Sequence, residues 1–371
     1  MKITCSTEHL RKNLQAVQRA VANKGILPVL SNVLFTSLHD SEGHIKIIGT
    51  DLEIGVESRL EIGAAEKINI TIPAKKLFEI VNKFPDETVH FDFHENGSVD
   101  LIGEKLKFNL NTLPADDFPR LPHVNRDTQF SLGLSDFCQA IRQTTFATAT
   151  DTAKSILTGV NVQLDNGQLR LAATDGYRLA VRQLVLHDNS PQALNVIIPK
   201  RTLVELERLI KQDEREMVGM SVTDSHVLFE SDGKVLTSRL IEGKYPDYNK
   251  ILPKSFGRKV WFETKPLLSA VERVAIMASE QTHVINFDIQ ASELIITAGA
   301  EQGKARESVE VKTEGEPLNI SFNANYLMDV LKIFAEDASH SLLQLNSEIQ
   351  PAVIHSVDND DYVCMLMPIK P

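Results

Sequence analysis

The sequence predicts an α+β chain of three similar domains, each with two helices packed on one side of an antiparallel sheet. Three observations predict it. A pattern recurs as "IGTDLEIGVESRL", "AATDGYRLAVRQL" and, more faintly, "ITAGAEQGKARESV", so that Thr50, Thr174 and Thr297 stand 124 and 123 residues apart. A strand running into an amphipathic helix repeats in step with it, and so does a helix-opening segment. A period near 124 residues describes whole domains, because solenoid repeats run about 20 to 50 residues.

Within each repeat the first element is a helix: "TEHLRKNLQAV", "SDFCQAIRQT" and "TKPLLSAVERV". Each begins on Thr7, Ser135 or Thr264, residue types that cap helices by accepting a bond from a free backbone N–H. Apolar residues follow at helical spacing, Leu10, Leu14 and Val17 in the first and Leu267, Val271 and Val274 in the third. In the second, Thr144 interrupts the stripe after Phe137 and Ile141. Short alternating segments come next, among them "HIKIIG", "VHFDF", "KLKFNL", "KVLTSRL" and "ELIITA", whose period of two marks antiparallel strands. The second helix of each repeat lies in "INITIPAKKLFEIVNKF", "LNVIIPKRTLVELERLI" and "LNISFNANYLMDVLKIF". Leu77, Leu203 and Leu327 lead these helices, and apolar residues recur three and seven positions later: Ile80 and Phe84, Leu206 and Ile210, Val330 and Phe334. Proline-punctuated connectors, "TLPADDFPRLP" and "EGKYPDYNKILP", close the first two repeats. The predicted domains are therefore residues 1–125, 126–254 and 255–371.

Composition narrows the function. At 42% hydrophobic and 24% charged residues the chain reads as a folded, soluble protein. The start "MKITCSTEHLRK" lacks a signal peptide's apolar core, and no uncharged apolar run reaches the roughly 18 residues a membrane span needs, so a cytoplasmic location is expected. Cys5, Cys138 and Cys364 are odd in number and far apart, which suits buried thiols in a reducing compartment. No phosphate loop, dinucleotide fingerprint, HExxH or Cys/His cluster is present, so no cofactor and no metal are expected. His90 and His94 share a strand face without a third ligand, and Asp358, Asn359, Asp360 and Asp361 form a solvated turn without a calcium loop's glycine and distal glutamate. A hydrolase using Asp51, Asp175 or His90 would lack a nucleophile, base or metal constellation.

A net charge of −11 argues at first against nucleic acid, whose affinity comes largely from neutralising phosphates. The distribution reverses this. The six predicted helices hold fourteen Lys and Arg against seven Asp and Glu, a net +7, which leaves −18 for the rest of the chain. Helices gathered on one face would make that face basic, and their aromatic residues Phe84, Phe137 and Phe334 fall on the apolar stripe, so phosphate contact with duplex suits them better than base stacking.

The motifs "TDGYRLA", "FPRLP", "YPDYNKILP", "IPAKKLFEI", "FNANYLMDVL" and the terminal "MPIKP" together resemble the β sliding clamps of bacterial DNA polymerase III, over essentially the whole chain. The resemblance implies the DNA clamp fold, with a head-to-tail homodimer forming a six-domain ring around duplex DNA, sheets outside and helices inside. It implies a non-enzymatic processivity factor whose partners are the replicative polymerase's catalytic subunit, the clamp loader, and other polymerases and repair proteins carrying short clamp-binding motifs. Without a phosphate loop the chain needs a separate ATP-driven loader. A scaffold that binds peptides without encircling DNA is the remaining alternative.

Carried over position by position, the resemblance implies a peptide-binding pocket between the second and third domains. It comprises Leu157, Thr174, Gly176, Tyr177, Arg178, Leu179, Pro246, Lys250, Ile251, Asn323, Tyr326, Met365, Met367, Pro368, Ile369 and Lys370. It also implies DNA-facing cations at Lys24, Lys75, Lys76, Lys154, Lys200 and Arg201, and a subunit interface in which Phe108 and Leu110 of one copy meet Ile276 and Met277 of another. Lys250 and Lys370 stand where the family often has arginine, and the tail ends in Pro371 where leucine is usual, so bidentate contacts to a bound peptide give way to point charges.

Overall fold

The computed structural model describes residues 1–22, 27–38, 43–63, 67–125, 129–186, 193–211 and 216–370, without the side chains of Thr152 and Lys154. All six expected helices form: α1 Thr7–Val17, α2 Ala74–Asn82, α3 Leu134–Thr145, α4 Lys200–Ile210, α5 Thr264–Ala275 and α6 Ala324–Asp337. Their predicted stripes are buried except in α2, where Val81 takes the buried place expected of half-buried Ile80 and Phe84 lies beyond the helix end. Leu10, Leu14, Leu77, Phe137, Ile141, Leu203, Leu267, Val271, Val330 and Phe334 are at most 2% exposed, each such side chain contributing roughly 1.5–3 kcal/mol through burial. Thr144 is fully buried as well. Its hydroxyl donates to the Ala140 carbonyl at 2.7 Å, so the polar group in the stripe is satisfied within its own helix.

Capping departs from expectation by one residue. Ser6, not Thr7, caps α1, its hydroxyl accepting the His9 N–H at 3.4 Å. Thr264 likewise lies inside α5 and Glu263 holds the cap position without a side-chain bond. The cause is that each helix starts directly off a strand, so the first helical residue faces the sheet. Thr7 and Thr264 are buried there, and the Thr264 and Ser341 hydroxyls bond at 2.8 Å.

By internal contacts the chain forms two compact units, residues 1–135 with 201–240, and 136–200 with 241–371. The first holds a four-stranded sheet ordered Lys2–Ser6, Thr88–His94, Ser98–Ile102, Lys107–Asn111. Its nine-stranded sheet runs Phe130–Gly133, Met217–Val222, His226–Ser231, Lys234–Arg239, Ile54–Glu61, His44–Thr50, Asn32–Ser37, Asn69–Pro73, Leu113–Pro114. The second holds a nine-stranded sheet ordered Leu194–Pro199, Gly159–Asp165, Gln168–Thr174, Arg178–Val185, Tyr362–Leu366, Ala352–Ser356, His340–Leu345, Arg258–Glu263, Lys312–Glu314. Its four-stranded sheet runs Gly303–Glu310, Glu293–Ala300, Val284–Ile289, Leu318–Asn323.

Both nine-stranded sheets are continuous across neighbouring repeats. In one, Ile54 pairs with Ser238; in the other, Arg178 pairs with Leu366. Backbone ladders therefore divide the central repeat between the two units, although its sequence is one period. The three cysteines are buried and form no disulfide, and burial pushes the thiols of Cys5 and Cys364 up to about 12.

Candidate functional site

The repeated Thr-Asp motif is a turn that closes a strand pair. In the middle copy the Thr174 hydroxyl donates to the Arg178 carbonyl at 2.6 Å and accepts the Gly176 N–H at 3.1 Å. The Asp175 carboxylate accepts the N–H groups of Tyr177 and Arg178. The first copy repeats every bond: Thr50 to the Ile54 carbonyl, Leu52 N–H to Thr50, and Glu53 and Ile54 N–H to Asp51. Both turns need a left-handed residue, Gly176 at φ +96° and Leu52 at φ +80°. Glycine takes that conformation freely whereas leucine pays a penalty on the order of 1–2 kcal/mol. The third copy diverges: the strands Glu293–Ala300 and Gly303–Glu310 run on past Thr297 to a tighter hairpin, with Ala300 opposite Gly303.

What separates the middle copy is the use of residues 177 and 178. Arg178 is only 8% exposed. Its Nε donates to Asp175 at 3.1 Å, one terminal nitrogen to Asp329 on α6 at 2.5 Å, and the other to the Phe146 carbonyl at 3.0 Å. The guanidinium lies over the Tyr326 ring at 4.6 Å and the Phe146 ring at 5.3 Å. Arg178 thus locks the turn to α6 and to the segment after α3. Tyr177 is pushed outward, 56% exposed, and stacks on Tyr326 at 6.0 Å.

The strands flanking this turn also build a buried apolar cluster. Ala172, Leu179, Ile197, Tyr245, Tyr248, Val353 and Met365 form one buried cluster, with Leu157 and Met367 partly buried against it. Leu179 pairs with Met365 across the ladder, and the tail is fastened by the Met367 N–H to the Tyr177 carbonyl and the Ile369 N–H to the Ser321 carbonyl, each 2.8 Å. Asn323 caps α6 by accepting the Asn325 and Tyr326 N–H groups. On the connector, Pro246, Lys250 and Ile251 are exposed, and Lys250 pairs with Asp247 at 3.3 Å. Pro368 and Ile369 are half-buried and Lys370 is exposed. Of the expected residues the structure gathers Leu157, Leu179, Met365 and Met367 in one apolar cluster with Tyr245 and Tyr248, and ties Thr174, Gly176, Tyr177 and Arg178 to Tyr326 on α6, while Pro246, Lys250 and Ile251 stay on the exposed connector and Lys370 on the exposed tail. The Tyr245 hydroxyl accepts the buried Thr174 N–H at 3.0 Å, and burial raises that phenol to about 12. The i, i+3 spacing of the two tyrosines in "KYPDY" was the available signal.

The expected DNA-facing cations separate into groups. Lys75 and Lys76 are exposed in the first turn of α2, where a cation opposes the helix dipole by roughly 0.3–1 kcal/mol and so does not serve the helix itself. Lys76 pairs with Glu79 at 2.9 Å. Arg201 is turned onto Asp51, and Lys200 is half-buried, its ammonium pulled below the ordinary range by burial and by Arg178. Lys24, Pro371 and the side chain of Lys154 lie outside the described residues. Asp51 and Asp175 are each committed to a turn and an arginine, which leaves neither placed as a hydrolytic acid or base. Among the described residues no group of three or more His, Cys, Asp or Glu is placed to hold a metal ion, and no helix is long and apolar enough to cross a membrane.

Each unit also presents an open strand edge. Lys107–Asn111 ends the four-stranded sheet of the first unit, with Phe108 42% exposed and Leu110 half-buried. Gly303–Glu310 ends the corresponding sheet of the second, and Ile276, the residue capping α5, is 78% exposed beside half-buried Met277.

A cleft of about 790 Å³ opens in the first unit, lined among others by Lys12, Arg19, Arg59, Arg208 and Lys234. Register explains it. Lys234 pairs with Ser58, four residues past Ile54, as Tyr362 pairs with Arg182, four past Arg178. In the second unit the Tyr362 ring fills that place against Phe334 at 4.8 Å, with its hydroxyl donating to the Gln143 carbonyl. Lysine stands in the same position of the first unit and lines the cleft together with Glu61, Asp232 and Glu205, which pairs with Arg19 and Arg208.

Three repeats, two through-running sheets and a buried apolar cluster beside a single copy's turn define a clamp-type α+β protein. Comparison with known proteins agrees: models of the DNA polymerase III beta subunit match its N-terminal domain at residues 1–122, its central domain at 131–247 and its C-terminal domain at 249–370. The beta sliding clamp of Pseudomonas aeruginosa is 34% identical, with all of both chains covered, and that of Synechocystis sp. is 32% identical, covering 100% of this chain and 99% of the other. The crystal structure of the P. aeruginosa subunit superposes with a TM-score of 0.95 at 32% identity over the full length of both chains, and the Bacillus subtilis clamp with 0.95 at 29%, covering 100% and 99%. The chain belongs to the beta sliding clamp family, the non-catalytic processivity subunits of DNA polymerase III.

Proposed function

We propose that two copies of this chain join head to tail into a ring of six domains around duplex DNA, the domains spanning residues 1–125, 126–254 and 255–371. The ring holds DNA by topology, so its helices supply only diffuse attraction to phosphates and no base readout, which permits sliding. Lys75 and Lys76 fit that role by their exposure against the helix dipole. Arg201 and Lys200 contribute to the field, Arg201 while paired with Asp51 and Lys200 from a half-buried position near Arg178. An acidic remainder of the chain disfavours adsorption of DNA elsewhere.

The groove of the second unit receives short linear motifs from the replicative polymerase's catalytic subunit, the clamp loader, and other polymerases and repair proteins. The observation that carries this reading is the Arg178 lock: it is present only in the middle copy, it holds exposed Tyr177 against half-buried Tyr326, and it adjoins the apolar cluster of buried Leu179 and Met365 with partly buried Met367. Adaptable methionines and a few polar groups suit several related apolar motifs. Lys250 offers such motifs a flexible point charge instead of a bidentate fork. The exposed edges at Phe108 and Ile276 supply a heterologous contact, which closes as a ring or else polymerises.

The test is topological. A cognate ATP-driven loader places labelled protein on nicked circular duplex, and retention in high salt is compared before and after the circle is cut. Salt weakens phosphate contacts but does not free a closed ring from a closed circle. Retention on the circle with loss from the linear form is the expected result. Equal loss from both after demonstrated loading would replace the ring with a peptide-binding scaffold.

A further inference from the structure

Asp100 is a buried carboxylate in an unusual place. It lies on the strand Ser98–Ile102, whose first four residues are all buried although alternate side chains of that strand face away from the apolar core. On the core side are Val99 and Leu101, level with Phe91 and Phe93 of one neighbouring strand and with Phe108 and Leu110 of the other. On the opposite side Asp100 stands directly between Asp92 and Asn109, with His94 and Lys107 on the diagonals. Its side chain is 5% exposed because its partners cover it: Lys107 Nζ at 2.8 Å, Asn109 Nδ2 at 2.8 Å and His94 Nε2 at 2.6 Å. These bonds, those of Lys107 first, hold the carboxyl well below the usual carboxylate range. Asp92 is drawn away toward Lys2 at 3.5 Å, which relieves the like-charge pair.

Two of the three donors come from Lys107–Asn111, the strand whose outer edge is open. An edge strand bonded on one side only is the part of a sheet most ready to fray or twist away. We propose that Asp100 is a positioning residue for subunit joining: it fastens the edge strand by its outward side chains, so that the free backbone edge with Phe108 and Leu110 is held straight for a second copy of this chain. This inference rests on the interface reading given above. The complementary surface is on the same chain, at the open edge Gly303–Glu310 and the exposed Ile276. Asp100 does not itself touch the partner in this arrangement, because its carboxylate is spent on its own sheet.

The experiment measures the dimer dissociation constant of the full chain by sedimentation equilibrium, together with hydrogen exchange of the segment 105–112 in an Ile276→Asp background that keeps the chain monomeric. Loss of charge-assisted bonds to the strand predicts that Asp100→Asn raises the dissociation constant about tenfold and speeds exchange in 105–112 by a similar factor, with α6 unchanged. Lys107→Met with Asn109→Leu, both at exposed positions, serves if Asp100→Asn does not fold, and should act in the same direction on both readouts. An unaltered dissociation constant or unaltered exchange in these variants, while Phe108→Asp separates the subunits, would overturn the role of Asp100 and leave the interface standing. Assembly that survives both Phe108→Asp and Ile276→Asp would remove the interface, and the proposal with it.

Discussion

Replacing Arg178 by methionine isolates the lock at the groove. The side chain makes three polar links, to Asp175, Asp329 and the Phe146 carbonyl, and lies on two rings. Hydrogen bonds to charged groups contribute about 1.5–3 kcal/mol each when buried. Asp329 is 45% exposed and regains water, so its share is small. Asp175, 13% exposed, keeps its two backbone donors and loses only the guanidinium, and methionine retains part of the packing on Tyr326. The net loss is then about 2–4 kcal/mol, which at roughly 2–4 °C per kcal/mol lowers the transition of the second unit by about 4–16 °C. Differential scanning calorimetry reads that shift, and fluorescence anisotropy with a labelled clamp-binding peptide reads the accompanying loss of affinity as Tyr177 and Tyr326 part. Asp329→Asn should cost less than about 1 kcal/mol, being a half-exposed partner. An Arg178→Met protein melting within about 1 °C of the parent, a shift too small for even one buried charge-assisted bond, would refute the assignment of Arg178 as the lock.

Other expectations follow from single contacts. Tyr245→Phe leaves the buried Thr174 N–H without an acceptor and should cost about 1–3 kcal/mol in urea unfolding. Lys75→Glu with Lys76→Glu should weaken binding to linear duplex and reduce the salt slope by about 2 per copy, whereas Arg201→Glu does less because Arg201 is already given to Asp51; anisotropy across a salt series separates them. The thiols of Cys5 and Cys364 keep their protons up to about 12 in the folded chain against 9.0 for a free thiol. The stability they support is therefore whole below pH 9 and drains as pH rises toward 12, with a combined slope of up to about 2.7 kcal/mol per pH unit. Urea midpoints that stay level between pH 9 and 12 would contradict this.

Local pattern was enough for the repeat and the helices. Periodicity sufficed for α1 to α6 because an amphipathic stripe has only one way to bury itself, and Leu77, Leu203 and Leu327, which lead three of these stripes, are all buried. It singled out Gly-Tyr-Arg because a motif present in one copy of three invites a local explanation. Where the repeats are joined is set by long-range pairing: ladders such as Ile54 with Ser238 and Arg178 with Leu366 pair residues nearly 190 positions apart, and no local pattern encodes a partner. The same holds for the caps, since whether Thr7 or Ser6 ends the helix depends on the strand that precedes it. It holds for Arg178, which composition presents as a free cation and packing turns into a buried strut. It holds for Asp100, whose burial comes from Lys107, Asn109 and His94 on two other strands. Local pattern specifies which face of an element is apolar; which charges meet on the other face is settled only when distant strands align.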